Sequence, residues 1–227
     1  MFLYDCIIRF SCYRIQMTHN PFDPLDPEKC KKEGYELIGH GFSSEVYLSP
    51  AGEVYKFSPP YTASRAKKLL ERSARNISLT AKSLGKFATP TIVYVVKSSD
   101  AEEDTYHLCA RQAFIDGQQI DTALSMVDLD QLRELFGLSL QMYDRTGKMP
   151  DIACIEGGFF NPFQSPNIIV RQDGSPVLVD TDFGRTQQMP GISVLWNFWM
   201  SEGVVRALAE INEARLTSFR EPRYPIA

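Results

Sequence analysis

Hydrophobic and polar positions follow two different periods along the first half of the chain. Residues 35–57 and 90–113 contain short runs of β-branched and aromatic residues, separated by Gly, Pro, Asn and Asp, which favour strands. Residues 62–84 instead have apolar side chains three and four positions apart, which favours an amphipathic helix. The pattern therefore predicts three antiparallel strands, one helix and two more strands, and then a hinge at residues 114–117.

The second half of the chain favours helices and one hairpin. Apolar side chains at helical spacing predict helices over residues 129–143 and 194–214, and Gly147 to Pro150 are expected to end the first of them. Between them, two short β-rich runs at residues 168–170 and 177–179 flank Asp173-Gly174, a pair that commonly forms a hairpin turn. We therefore expect this hairpin to lie within a mainly helical region.

These elements predict an α+β chain in three parts. Three prolines with Asp and Asn between them, at residues 20–27, exclude a regular helix or a central strand there. Residues 1–32 are therefore expected to be a partly irregular leader. Residues 33–115 would form a lobe with a five-stranded antiparallel sheet and one helix, and residues 116–227 would form a reduced, mainly helical lobe.

Composition argues against several classes of protein. The 227 residues are 44% hydrophobic and 23% charged, as is usual for a soluble globular protein, and the net charge of −4 argues against a general nucleic-acid or membrane-surface binder. Five scattered cysteines without a Cys-x-x-Cys spacing favour reduced thiols of an intracellular protein. No run is long enough to span a membrane, and residues 1–16 do not resemble a secretory signal. Met17 could equally be the biological start.

Asn167 and Asp182 enclose the predicted hairpin. Asn167 lies immediately before the first β-rich run, and Asp182 lies three residues after the second. An amide oxygen and a carboxylate oxygen at the two ends of one ribbon are hard ligands, which suit Mg²⁺ completed by water and substrate phosphates. The pair predicts a magnesium site, although an asparagine before a strand is also a common turn former.

A turn that contains glycines is predicted between the first two strands. Gly39, Gly41, Ser44 and Val46 match the pattern G-x-G-x-x-G-x-V, except that Ser44 replaces the third glycine. Glycine lets the backbone approach phosphate groups closely and donate N–H groups to them. Lys56 follows on the third strand, where its ammonium group could bind the same phosphates, although a lysine in a strand more commonly faces solvent.

Glu71 lies within the basic segment 65–75 of the predicted helix. It could pair with Lys56 and hold that lysine against phosphates. It could equally form an ordinary helical pair with Lys67 or Arg75. The basic side chains are most simply solvated, and they could also dock an acidic partner.

Taken in order, the glycine pattern, Lys56, Glu71, Asn167 and the Asp-Phe-Gly tripeptide that begins at Asp182 resemble the motifs of the protein kinases. The resemblance covers residues 35–185 and implies a two-lobed kinase-like fold that binds ATP and Mg²⁺. It implies that Lys56 contacts the α- and β-phosphates and that Glu71 orients Lys56. It also implies that Asn167 and Asp182 hold the metal and that the glycines cover the triphosphate.

Two features depart from the kinase pattern. Pro162 lies five positions before Asn167, where kinases have the aspartate that accepts the substrate proton. The polar residues of the same loop that could replace this base are Asn161, Glu156 and Asp151. No Ala-Pro-Glu motif follows the Asp-Phe-Gly tripeptide, and the remaining chain is too short for a usual kinase C-lobe.

A kinase of this size resembles the very small kinase-like effectors that bacteria export by type III secretion. Some members of that family act on the host heat-shock protein 90 chaperone. The resemblance therefore implies an atypical Ser/Thr kinase that acts on a protein in the host cytoplasm. We expect a monomer, although no residue pattern determines the oligomeric state. The missing aspartate leaves two alternatives, a nucleotide-binding pseudokinase that acts as a binding module and a kinase-fold enzyme that transfers AMP. A small-molecule kinase is disfavoured because such enzymes usually keep that aspartate.

Overall fold

A computed structural model of the chain describes residues 25–41, 44–99, 104–150, 152, 154–156, 159–161 and 165–180. The chain divides into two compact units. The first, which we call the sheet unit, contains Met1–Lys82 and Thr89–Phe114. The second, which we call the hairpin unit, contains Ser83–Ala88 and Ile115–Ala227.

A short helix begins the described part of the sheet unit. Helix α1, Pro27–Lys32, is capped by Asp26, whose carboxylate accepts a hydrogen bond from the backbone N–H of Lys29 at 2.9 Å. The second carboxylate oxygen of Asp26 accepts from the N–H of Ser99 at 2.6 Å, and Cys30 is fully buried. Asp26 and Cys30 are therefore packed parts of the unit, whereas their sequence predicted a partly irregular leader.

The sheet unit is built on one antiparallel sheet. Its strands in the described residues are β1 (Glu36–Gly41), β2 (Ser44–Leu48), β3 (Glu53–Phe57), β4 (Tyr61–Thr62), β5 (Thr91–Lys97) and β6 (Thr105–Ala113). Strand β6 pairs with β5 on one side and with β3 and then β4 on the other, and β2 and β1 continue the sheet beyond β3. The five predicted strands are present, and the two-residue β4 is an additional strand that the sequence did not reveal.

Helix α2, Ala63–Leu84, follows β4 directly. Its side chains Leu70, Ile77 and Leu84 recur every seven residues, which places them on one face of the helix, and all three are buried. The helix predicted over residues 62–84 is therefore confirmed, together with the face it was expected to bury.

The two faces of the sheet pack against different helices. One hydrophobic cluster consists of Cys30, Tyr47, Tyr55, Phe57, Val96 and Cys109, with Leu25, Tyr35 and Tyr94 partly buried against it. The other consists of Leu70, Ile77 and Val93, with Ala74, Val95 and Leu108 against it. Because successive side chains of a strand point to opposite faces, helix α1 covers the first face and helix α2 covers the second.

Helix α3, Leu129–Thr146, is the α-helix of the described part of the hairpin unit. Asp128 caps its N-terminus by accepting from the N–H groups of Asp130 and Gln131. Gly147 ends it with a φ of 65°, a left-handed conformation that glycine adopts without strain. The predicted helix and the predicted stop after it are both confirmed.

The rest of the described part of this unit contains five short strands. They are β7 (Gln118–Gln119), β8 (Cys154–Glu156), β9 (Phe159–Asn161), β10 (Ile168–Val170) and β11 (Pro176–Leu178). Strands β11, β10 and β7 form one sheet and β8 pairs with β9. The described part of the unit therefore contains more β-structure than the expected mainly helical lobe, and the helix predicted over residues 194–214 lies outside the described residues.

The core of the hairpin unit joins α3 to the hairpin β10–β11. It contains Leu132, Leu135 and Phe136 from the helix and Ile168 and Leu178 from the strands, all nearly inaccessible to solvent. A 3-10 turn, Gly85–Phe87, contributes to the same core.

The described residues thus form a mixed α/β structure in which an antiparallel sheet carries few helices. This arrangement in the sheet unit is compatible with a kinase-like N-lobe.

Candidate functional site

Lys56 lies in a row of residues that crosses the sheet. In the strand pairing, Gly39 of β1 is opposite Val46 of β2, Val46 is opposite Lys56 of β3, and Lys56 is opposite Ala110 of β6. Val93 of β5 completes the row opposite Ala110. Residues directly opposite each other point to the same face of a sheet, with neighbouring strands about 4.8 Å apart. The row therefore gathers three of the predicted nucleotide-binding residues on one surface.

This surface is the face that packs against α2. Val93 belongs to the hydrophobic cluster that contains Leu70 and Ile77 of that helix. The neighbours of Lys56 along β3, Tyr55 and Phe57, belong to the cluster on the opposite face. Lys56 itself is partly buried. The alternation of β3 therefore directs the lysine to the helix-covered side of the sheet.

The glycines lie in a strand rather than in the predicted turn. Gly39 and Gly41 are both part of β1, and Gly41 is opposite Ser44. The predicted glycine turn is wrong, because the pairing of β1 with β2 extends to Gly41. Residues 42 and 43, which follow Gly41 in the sequence, lie outside the described residues. His40, between the two glycines, is likewise paired within β1, opposite Glu45.

The backbone at Gly39 does not itself demand glycine. Gly39 is not among the described glycines with positive φ. A Cβ added there would lie 3.6 Å from the Cβ of Val46, an ordinary van der Waals contact. A bulge between Leu37 and Gly39 sets the register that brings Gly39 opposite Val46.

Glu71 is exposed on α2. At 100° per residue it projects about 120° away from the centre of the buried face formed by Leu70, Ile77 and Leu84. Among the described residues no salt bridge joins it to Lys56. The pairing stays a prediction, and it would require α2 to turn about its axis.

A polar group on the opposite face of the sheet fixes β3 in place. The Tyr55 hydroxyl donates a hydrogen bond to Glu53 at 2.7 Å, and the same carboxylate lies 3.7 Å from the guanidinium of Arg111 on β6. Burial, followed by this hydrogen bond and the charge of Glu53, raises the pKa of Tyr55. The group ties the strand that contains Lys56 to its neighbour in the sheet.

Buried cysteines on the same face are not nucleophiles. Cys30 and Cys109 are free and buried. Burial is the largest cause that raises the pKa of each thiol to about 12. At neutral pH both are therefore protonated, and the thiolate required for covalent chemistry or metal binding does not form.

Asn167 lies at the entrance of the hairpin, immediately before β10, and is partly buried. Its backbone carbonyl accepts a hydrogen bond from Val179 at 2.9 Å, and its N–H donates to the hydroxyl of buried Ser165 at 3.3 Å. The pairing of Ile168 with Leu178 continues from this bond into the ladder. The predicted hairpin is confirmed, and Asn167 lies beside the position where the chain leaves it.

Other predicted site residues lie outside the described residues. They include Asp182, the Phe and Gly that follow it, Pro162 and Asp151. Asn161 and Glu156 lie in the paired strands β9 and β8, and their side chains are also outside the description. Their proposed roles stay predictions.

Three buried polar residues of α2 were missed by sequence reasoning. Ser73, Asn76 and Thr80 are each at most 5% exposed. Ser73 and Asn76 lie between the buried positions Leu70 and Ile77, and Thr80 follows them. The spacing of three and four residues was the sequence signal for their burial on this side of the helix. They make the buried face of α2 partly polar.

Comparisons with known proteins give no family for the chain. No protein-family model matches it, and no curated protein matches it. It is similar to the solved apo structure of a pseudokinase, with a TM-score of 0.41 and 12% identity over 83% of this chain and 82% of that one. It is also similar to the crystal structure of WbdD, with a TM-score of 0.40 and 14% identity over 84% of this chain and 43% of WbdD. The chain thus spans less than half the length of WbdD, and similarities at these TM-scores carry no argument about function.

The described residues contain no group of three or more His, Cys, Asp and Glu side chains arranged to hold a metal ion. None of the helices among them is long and apolar enough to cross a membrane.

Proposed function

We propose that the chain is an atypical, minimal protein kinase that binds ATP and Mg²⁺. Lys56 binds the α- and β-phosphates, and the backbone of β1 at Gly39 and Gly41, with Ser44, covers the triphosphate. Val46 packs beside them, and Glu71 orients Lys56 when α2 turns toward it. Asn167 and Asp182 hold the metal.

The observation that supports this proposal best is the cross-strand row of Gly39, Val46 and Lys56. A lysine on a β-strand usually faces solvent, but this one lies on the helix-covered face with a glycine two strands away. Neither a positive φ nor a crowded Cβ position requires glycine at position 39. The space that a side chain would occupy is therefore open to a ligand that approaches the backbone closely.

The donor set supports magnesium as the metal. Asn167 has an amide oxygen and Asp182 has a carboxylate, and Mg²⁺ prefers such hard oxygen ligands while keeping waters and substrate phosphates for its other positions. A site of two protein ligands fits this preference. When bound, the metal would neutralise charge on the phosphates.

The proposed reaction is transfer of the γ-phosphoryl group of ATP to a Ser or Thr hydroxyl of a protein. The substrate implied by the resemblance to type III effectors is a host heat-shock protein 90 chaperone, reached after export from a bacterium. Phosphoryl transfer depends mainly on positioning and charge neutralisation, so the loss of the usual aspartate at position 162 would slow the reaction without abolishing it.

Nucleotide binding by Lys56 can be tested directly. We expect Mg-ATP to raise the Tm of the wild-type chain, and Lys56→Ala to keep the Tm of the free protein while losing the shift. Asp182→Ala should lose the magnesium dependence of the shift and the phosphate transfer. Lys32→Ala, which removes an exposed lysine of α1, is the matched control and should behave as wild type. Full activity in both the Lys56 and the Asp182 variants would refute the proposal.

Pro162 favours a second candidate, a pseudokinase that binds nucleotide and acts as a binding module. Intact-mass measurement of the chain and of purified chaperone after incubation with Mg-ATP separates the candidates. Gain of a phosphate supports the kinase, and gain of AMP supports the alternative transferase. A nucleotide-dependent Tm shift without any gain in mass supports the pseudokinase.

A further inference from the structure

Helix α2 has a row of basic side chains on its exposed side. Arg65, Lys68, Arg72 and Arg75 are spaced by three, four and three residues, and all four are exposed. At 3.6 residues per turn they fall within about 80° of the helix circumference and extend over about 15 Å. We call these four residues the basic stripe. It lies away from the face that buries Leu70 and Ile77.

None of the four residues of the basic stripe takes part in a salt bridge within the described part of the chain. Glu71, four residues before Arg75, is the one acidic residue of α2, so it offsets part of the charge of the stripe. The guanidinium of Arg65 lies 4.9 Å from the centre of the Tyr61 ring, a contact that leaves its charge uncompensated. Like charges three and four residues apart destabilise a helix, so an anionic ligand on the stripe would relieve repulsion already present.

Charge is distributed unevenly between this helix and the rest of the chain. Residues 63–75 contain five basic residues and one acidic residue, Glu71, for a net charge of +4. The whole chain has a net charge of −4, so the other residues together have −8. The positive potential is therefore local, and the screening length of about 8 Å at physiological salt keeps it so.

This distribution selects among anionic partners. A long nucleic acid or a membrane surface would extend well beyond a 15 Å stripe and would meet repulsion from the acidic remainder of the protein. A short acidic segment avoids that repulsion, because about five extended residues span the same length. We propose that the basic stripe of α2 is a docking surface for an acidic, Asp- and Glu-rich segment of a partner protein. Docking at this surface does not require that the protein bind a nucleotide.

A charge-reversal experiment tests this docking surface. The probe is a fluorescein-labelled octaglutamate peptide, titrated with the full chain and followed by fluorescence anisotropy at low and at physiological salt. Lys68→Glu/Arg72→Glu reverses the centre of the stripe. The matched control, Lys32→Glu/Arg171→Glu, makes the same change of net charge at exposed residues outside it.

We expect the stripe variant to bind the peptide at least about tenfold more weakly than wild type, and the control to stay within about twofold. Binding should weaken as salt rises. An equal loss in both variants would show that only net charge matters and would overturn the proposal, as would no binding by the wild type. Tighter, stripe-dependent binding of an oligothymidine or of phosphatidylserine vesicles would also overturn it. If the reversed variant does not fold, Lys68→Gln/Arg72→Gln provides the same comparison at neutral charge.

Discussion

Lys56 lies inside a sheet, on a strand that is paired on both sides. Asn167 instead lies immediately before a three-residue strand of a small hairpin. The strand of Lys56 contributes Tyr55 and Phe57 to the cluster on one face of the sheet, and on the other face its neighbours in the sheet pack against α2. The hairpin of Asn167 instead depends on its turn. There, the N–H of Gly174 donates to Arg171 and the N–H of Asp128 donates to Gly174.

The difference concerns how each proposed functional residue is positioned. Cross-strand pairing over several residues on both sides makes the register of β3 insensitive to a single change. Three residue pairs join β10 to β11. The turn and its contact with the segment before α3 therefore contribute more to the position of the hairpin than a turn does in the sheet unit. Positioning in the sheet unit is distributed, and positioning in the hairpin unit is concentrated at few residues.

The largest expected effect would break the hairpin at its turn. Gly174 has a φ of 83°, and an added Cβ would lie 2.7 Å from the carbonyl oxygen of Met126. We expect Gly174→Ala to lower the free energy of unfolding by about 3 kcal/mol, from left-handed strain together with this backbone clash. Urea denaturation measures the loss.

Gly52 supplies the control in the sheet unit. It has a similar φ of 76°, but an added Cβ would meet nothing within 4 Å. Gly52→Ala should therefore cost about 1 kcal/mol, the left-handed strain alone. Equal costs at the two positions would contradict the claim that the hairpin turn is fixed by its contact with Met126.

A smaller loss of stability is expected at the caps of helices α1 and α3, one in each unit. Burial raises the pKa of Asp26, but hydrogen bonds from Ser99 and Lys29 outweigh it and lower that pKa below 3.8. A lowered pKa means that the folded state favours the carboxylate, so the stabilisation is present above pH 3.8 and is lost as pH falls through the lower, folded value. We expect Asp26→Ala to cost about 2 kcal/mol at neutral pH and less in acid.

Urea denaturation at neutral pH and at about pH 3 follows this cap. Asp26→Asn keeps an acceptor oxygen but removes the titration, so its stability should depend less on pH than that of wild type. Asp128, the partly buried cap of α3, also has a lowered pKa, caused first by the backbone N–H of Gln131. A larger acid sensitivity at Asp128 than at Asp26 would contradict the role of the contact between buried Asp26 and Ser99.

The smallest expected change in stability is at Gly39. Because an added Cβ meets only ordinary contacts, Gly39→Ala should alter the free energy of unfolding by less than about 0.5 kcal/mol. It should nevertheless weaken Mg-ATP binding by about tenfold if the backbone of β1 approaches the phosphates. Gly137→Ala, in open space on α3, is the control that should leave nucleotide affinity unchanged. Calorimetric titration distinguishes the two.

Local sequence rules succeeded where a few neighbouring residues decide the outcome. The apolar spacing of α2, Asp173-Gly174 between the strands of the hairpin, and the stop at Gly147 were all predicted. The predicted turn at Gly39 and Gly41 was wrong because the length of a strand pair depends on the partner strand and not on the glycines alone. Glu71 was given equal weight as a partner of Lys56 or of its helical neighbours, and its exposure on α2 became visible only with the packed helix.

By itself the sequence determined the longer strands and helices and the hairpin, since period, turn residues and caps act over a few neighbouring residues. The short strands β4, β7, β8 and β9 were not predicted, because each is defined by the strand with which it pairs. Tertiary structure alone decided contacts between distant segments. Asp26 accepts from Ser99 across 73 residues of chain. Gly117, predicted as part of a hinge, instead allows close approach of Val170, whose carbonyl oxygen an added Cβ would overlap. Such contacts depend on strand register and on which face of a strand or helix is buried, and no local pattern specifies either. The same holds for the row that places Lys56 opposite Val46 and Val46 opposite Gly39.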